Sequence, residues 1–158
     1  MLAVRTAPAA LERAGVDVKA LTLYQPWASA IAFGAKSIET RSWRTDYRGP
    51  IAIHAAARRP EDLADYHGRA FAARELERRA GRISALPLRA FVAVAELVDV
   101  IPTHLLNPEP LEAAFGDFDP GRYGWILADV RRLPEPVPYQ GARGLWEVPT
   151  AVRIELVQ

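Results

Sequence analysis

Apolar and polar positions change period at well-marked points along this chain. From Val18 to Tyr24 β-branched and apolar residues dominate and predict a strand. Pro26 cannot continue a central strand, but it suits the first turn of a helix, where its missing N–H goes unused. Trp27, Ala30 and Ile31 then recur at i, i+3 and i+4, one apolar face of a two-turn helix. Gly34 stands where a left-handed residue would end it. From Ser37 to Trp43 the period returns to two, with Ile38 and Thr40 on one side and Ser37, Glu39, Arg41 and Trp43 on the other.

Further on, Arg48-Gly49-Pro50 signals a turn and Ile51 to Ala55 a short strand. Pro60 to Gly81 carries the one long helical pattern, with Leu63, Tyr66, Ala70, Ala73, Leu76 and Ala80 as its apolar stripe. Arg89 to Ile101 is strongly β-prone, and Pro108 to Phe115 predicts a short helix. Tyr123 to Arg131 reads as a strand and Pro134 to Pro138 as an irregular connection. Leu145 to Val148 and Ala151 to Val157 read as closing strands separated by Pro149. Residues 1–17 form an alanine-rich N-terminal arm in this reading, and residues 18–158 a single domain. The element order fits an α+β fold, a small mixed β-barrel with peripheral helices, and by period alone it fits other α+β arrangements equally.

Composition narrows the function classes. The 158 residues are enough for one real core. No apolar run approaches the ~20 residues of a membrane span, and no secretory leader pattern opens the chain, so a cytoplasmic protein is expected. Without cysteine there is no disulfide, thiolate metal site or thiol nucleophile. A net charge of +1 gives no global attraction for nucleic acid, so such binding must rest on a local patch.

The densest chemistry lies in Gly34-Ala35-Lys36-Ser37-Ile38-Glu39-Thr40-Arg41, spaced G-x-K-x-x-E-x-R. Glu39 and Arg41 are same-face neighbours roughly 6.6 Å apart along a strand, and Lys36 at the helix–strand corner can reach the same space. With 18 arginines and only Lys19 and Lys36 as lysines, a lysine kept here suggests that a compact point charge is wanted. Placed just past a helix end, Lys36 is expected outside the core, so that its loss would affect ligand binding rather than folding. This segment, with Tyr24-Gln25-Pro26-Trp27 before it, resembles the ASCH (activating-signal-cointegrator homology) family. Weaker likeness continues through Phe91–Val100, Gly121–Leu127 and Gly141–Trp146, as in the longer bacterial-type subgroup. The resemblance implies a PUA-like barrel and a role connected with RNA.

On that basis the expected site is a cleft lined by Gln25, Trp27, Lys36, Glu39, Arg41, Trp43 and His54. It would hold single-stranded RNA or a modified nucleoside or nucleotide. Arg41 and Lys36 would meet phosphate or carbonyl oxygens, Glu39 would accept from an exocyclic amine, and Trp27 or Trp43 would stack on a base. The resemblance also implies an alternative, a hydrolase (an amidohydrolase on acylated cytidine, or a ribonuclease) with Lys36 and Glu39 catalytic. Family amidohydrolases use a threonine three residues after the lysine, where this chain has Glu39; Glu112 is one candidate for their distant glutamate. His54 is expected to point away from the core toward Glu39. His67 and His104 lack partners at metal-ligand spacing, so no metal or cofactor is expected, and protein partners are not defined.

Overall fold

The computed structural model describes residues 17–59 and 70–157. Their elements are β1 (Lys19–Leu23), α1 (Trp27–Ala32), β2 (Ile38–Arg41), β3 (Gly49–Ala55), α2 (Ala70–Ala80), β4 (Ala90–Pro102), α3 (Pro110–Ala114), β5 (Tyr123–Pro138), β6 (Leu145–Glu147) and α4 (Thr150–Val157). The strands form one sheet in the order β2-β5-β4-β3-β1-β6, in which only the β1–β3 pair is parallel. The sheet curls into a half-barrel with peripheral helices, so that Arg41 on the edge strand β2 donates through Nη2 to the Thr22 carbonyl of β1 at 3.1 Å.

Both faces of the central strands are covered, which explains why β3 and β4 read as nearly continuous apolar runs. On the inner face Leu21, Ile31, Ile51, Ile53, Leu97 and Trp125 form one cluster. On the outer face Val18, Ala52, Phe91, Val94, Leu133 and Leu156 form another. Full burial of each such side chain contributes about 1.5–3 kcal/mol. Gly34 adopts φ +76° and ends α1 as expected; its amide bonds to the Ile31 carbonyl at 3.1 Å.

Two expectations are corrected. Ala151 to Val157 lies within the helix α4, not a strand. The outer edge of β1 is already taken by β6, and Val152 and Leu156, one helical turn apart, both pack on the outer-face cluster. The prolines 134, 136 and 138 do not break β5, which runs through them. Beyond Leu127, whose amide still donates to the Ser37 carbonyl at 3.0 Å, β5 pairs with β4 alone, so its other edge needs no amide donors at the prolines. The expected arm falls outside the described residues apart from Asp17, as do His67 and the first half of the expected long helix.

Candidate functional site

Three of the expected site residues, Gln25, Trp27 and Lys36, make contacts within the fold. The Gln25 amide caps α1: its Oε1 accepts from the Ser29 amide at 3.0 Å, and its Nε2 donates to Ser29 Oγ at 2.7 Å and to the Pro87 carbonyl at 2.8 Å. Trp27 packs with Ala72, Leu76 and Phe115, between α1 and α2. Lys36 is only 1% exposed, and Nζ donates to the carbonyls of Ile38 and, at 2.9 Å, Phe115. The expectation that Lys36 lies outside the core is therefore overturned. The short α1–β2 corner turns its side chain inward, where α3 closes over it. Glu112 of α3 completes the corner by accepting from the amides of Ser37 and Ile38, each at 2.8 Å, and from Ser37 Oγ at 3.0 Å.

Glu39, Arg41 and Trp43 are placed differently. Glu39 stands opposite Trp125 in the β2–β5 register and is 8% exposed. Its Oε2 is buried without a hydrogen-bond partner, and so is Nε of Arg41 on the same strand face. A buried polar atom without a partner carries a penalty of about 1–3 kcal/mol, more when charged. Beside them the Trp125 ring meets Trp43 edge-on at 4.7 Å, and its Nε1 donates to the Trp43 carbonyl at 3.2 Å. The arrangement offers one acceptor, one donor and an indole face together.

His54 does not join this group. It is 1% exposed and lies on the outer face of β3, against the rings of Phe91 and Trp146. Its pointing away from the inner cluster follows the strand alternation, but β6 and the loop before it cover that side too. Nε2 donates to the Tyr139 carbonyl at 2.7 Å, because a carbonyl can only accept. That tautomer leaves Nδ1 to accept from Thr22 Oγ1 at 3.2 Å, while Thr22 Oγ1 accepts from Trp146 Nε1 at 3.1 Å. This circuit walls a cleft of about 800 Å³ whose lining includes Thr22, His54, Arg89, Tyr139, Gly141 and Arg143. Lys36, Glu39 and Arg41 are not part of that lining.

Sequence reasoning missed Thr22, Arg89 and Arg143, which come from strands and loops far apart in the chain. The one local signal was the arginine set between glycines in Gly141-Ala142-Arg143-Gly144. Among the described residues no group of three His, Asp or Glu side chains could hold a metal ion. No described helix is long and apolar enough to cross a membrane.

Burial pushes the His54 imidazole below its ordinary value of 6.5, with the Tyr139 carbonyl offsetting part of the shift. The folded protein thus binds fewer protons at this site than the unfolded chain does. Its contribution to stability is complete above the unfolded value and is lost as pH falls through the folded one. Urea midpoints taken from about pH 7 to about pH 5 are expected to fall less in His54→Asn than in the parent. Equal slopes would show that His54 does not titrate on unfolding.

Comparison with known proteins bears on the family and the fold. The ASCH domain profile matches residues 21–138. Activating signal cointegrator 1 of Homo sapiens and of Mus musculus are each 48% identical to the chain over 40 residues, which make up 25% of this chain and 7% of either relative. An ASCH protein from Zymomonas mobilis superposes with a TM-score of 0.51 at 14% identity, covering 89% of this chain and 93% of that one. A mutant of the Zymomonas protein gives a TM-score of 0.51 at 13% identity, covering 89% and 96%. At that identity the likeness is one of fold.

Proposed function

The chain belongs to the ASCH domain family, and from that premise we propose that it binds single-stranded RNA or a nucleotide, with a base seated against the inner face of β2. The observation that carries this reading is the pair of buried, unpartnered atoms Glu39 Oε2 and Arg41 Nε beside the Trp43–Trp125 pair. A nucleobase edge offers what they lack: an exocyclic amine to donate to Glu39 and a carbonyl to accept from Arg41. Trp43 supplies a stacking face, while Arg44 and Arg48 that follow it are paired with Asp46 and Asp99. Gln25, Trp27 and Lys36 act as positioning residues, holding α1 and the start of β2. A cytoplasmic location suits this role and the absence of cysteine.

The hydrolase alternative has less support. A catalytic lysine needs an uncommitted ammonium, and Lys36 Nζ already donates to the backbone carbonyls of Ile38 and Phe115, whereas Glu39 Oε2 and Arg41 Nε have no hydrogen-bond partner. Fluorescence anisotropy with a labelled single-stranded RNA of mixed sequence, at low ionic strength, tests the binding reading. The parent should bind with an affinity that falls steeply with added salt. Glu39→Gln keeps the shape but presents a neutral amide in place of the carboxylate, and should weaken binding by about tenfold or more. No binding by the parent, or unchanged binding by Glu39→Gln, would sink this assignment.

A further inference from the structure

We infer that the cleft over Thr22 and His54 is a phosphate subsite, taking the phosphate of the nucleotide whose base lies on β2. The inference rests on the nucleotide reading for the ligand's identity, but its anionic character follows from the cleft alone. No acidic side chain lines the cleft, and two guanidiniums do, those of Arg89 and Arg143. Arg48, Arg79, Arg122 and Arg153 each pair with an acidic side chain of the fold. Arg89 and Arg143 make no side-chain hydrogen bond or ion pair among the described residues. Both are exposed, so their charge is available to a ligand.

The backbone holds Arg89 at φ +51°, a left-handed conformation that favours glycine. Its amide bonds to the Ala56 carbonyl at 3.4 Å and its carbonyl accepts from Tyr139 at 3.0 Å, so the strained residue is fixed at the cleft rim. Strain of this kind collects at ligand sites, where a side chain is needed despite the backbone. The wall is rigid and neutral. His54 is fully engaged on both nitrogens, and Gly141 lies so close that a Cβ there would stand 2.7 Å from the His54 ring and 2.8 Å from Thr22 Oγ1. The cleft's charge therefore comes from the arginines. Its volume of about 800 Å³ accommodates a nucleotide's phosphate and sugar rather than a lone ion.

Thr22 links the two regions. Its carbonyl receives Arg41, while its hydroxyl faces the cleft. β6 pairs with the backbone of β1 only as far as Leu21 and reaches Thr22 at this edge through the Trp146 side chain alone. A ligand with its base at Glu39 and Arg41 can pass round this edge to set its phosphate between Arg89 and Arg143. Bidentate guanidinium–phosphate pairing is the expected contact.

Titration calorimetry on the full chain at low ionic strength tests this, with pyrophosphate as the phosphate probe and an unphosphorylated nucleoside as the base probe. Arg89→Gly removes the charge at a position whose φ suits glycine, and Arg143→Gln removes the other. Each variant should weaken pyrophosphate binding about tenfold, while the nucleoside binds parent and variants alike. If pyrophosphate does not bind the parent, or binds the double variant equally well, the subsite is overturned while nucleoside binding keeps the β2 reading. If pyrophosphate binds through the two arginines but no nucleoside or RNA binds, the cleft stands as an anion site and the nucleotide reading falls. Circular dichroism on each variant confirms folding, and Arg143→Gln, at an exposed loop position, gives the same comparison on its own.

Discussion

Lys36→Ala should destabilise the protein by about 3–5 kcal/mol, lowering both the urea midpoint and Tm. The side chain is almost fully buried, and its ammonium donates to the carbonyls of Ile38 and Phe115. Truncation removes the aliphatic stem, leaves a cavity and strands these carbonyls, so transfer, cavity and hydrogen-bond losses add. Against a total stability of about 5–15 kcal/mol the effect is large. Lys36→Met keeps most of the volume and should lose less. Lys36→Arg adds a planar fork to a closed space and should cost about 1–3 kcal/mol. A Lys36→Ala protein as stable as the parent would refute the structural role of this lysine. The same numbers make Lys36→Ala a poor probe of ligand binding, for which Glu39→Gln is the cleaner change.

Trp125→Ala should be equally damaging, about 3–5 kcal/mol. The indole is 0% exposed, fills the inner face opposite Glu39, meets Trp43 edge-on and donates to the Trp43 carbonyl. Without it the β2 edge loses its packing, and Trp43 is no longer held where a base could stack. Trp125→Phe restores an apolar ring but not the N–H, so it should lose about 1–2 kcal/mol, nearer to a single hydrogen bond and a small void. Denaturant titration followed by near-ultraviolet circular dichroism reads both quantities. If Trp125→Ala retained the parent's aromatic signal and midpoint, the assigned inner core would be wrong.

Much of the site's scaffold was legible because it is local. The strand–helix–strand run from Val18 to Trp43, the left-handed Gly34 and the shared face of Glu39 and Arg41 follow from periods of 2 and 3.6 and from the chemistry of Pro and Gly. Two later elements were misread for a reason that is not local. Ala151 to Val157 satisfies both periods, and the choice fell to which sheet edge was free. The prolines in β5 argue against a strand unless it is known that one edge is unpaired.

The sequence by itself determined the element types near the motif, the ASCH resemblance and the face on which Glu39 and Arg41 lie. Only the tertiary structure decided what each charge does. The curl of the sheet brings Arg41 to Thr22, α3 closes over Lys36, and the loop at Gly141 seals His54 on the side away from Glu39. Burial and hydrogen-bond partners depend on chain segments far apart in sequence, such as Lys36 with Phe115 and His54 with Tyr139. A periodic pattern fixes which way a side chain points, but what it meets there is set by the packing of elements the pattern does not connect.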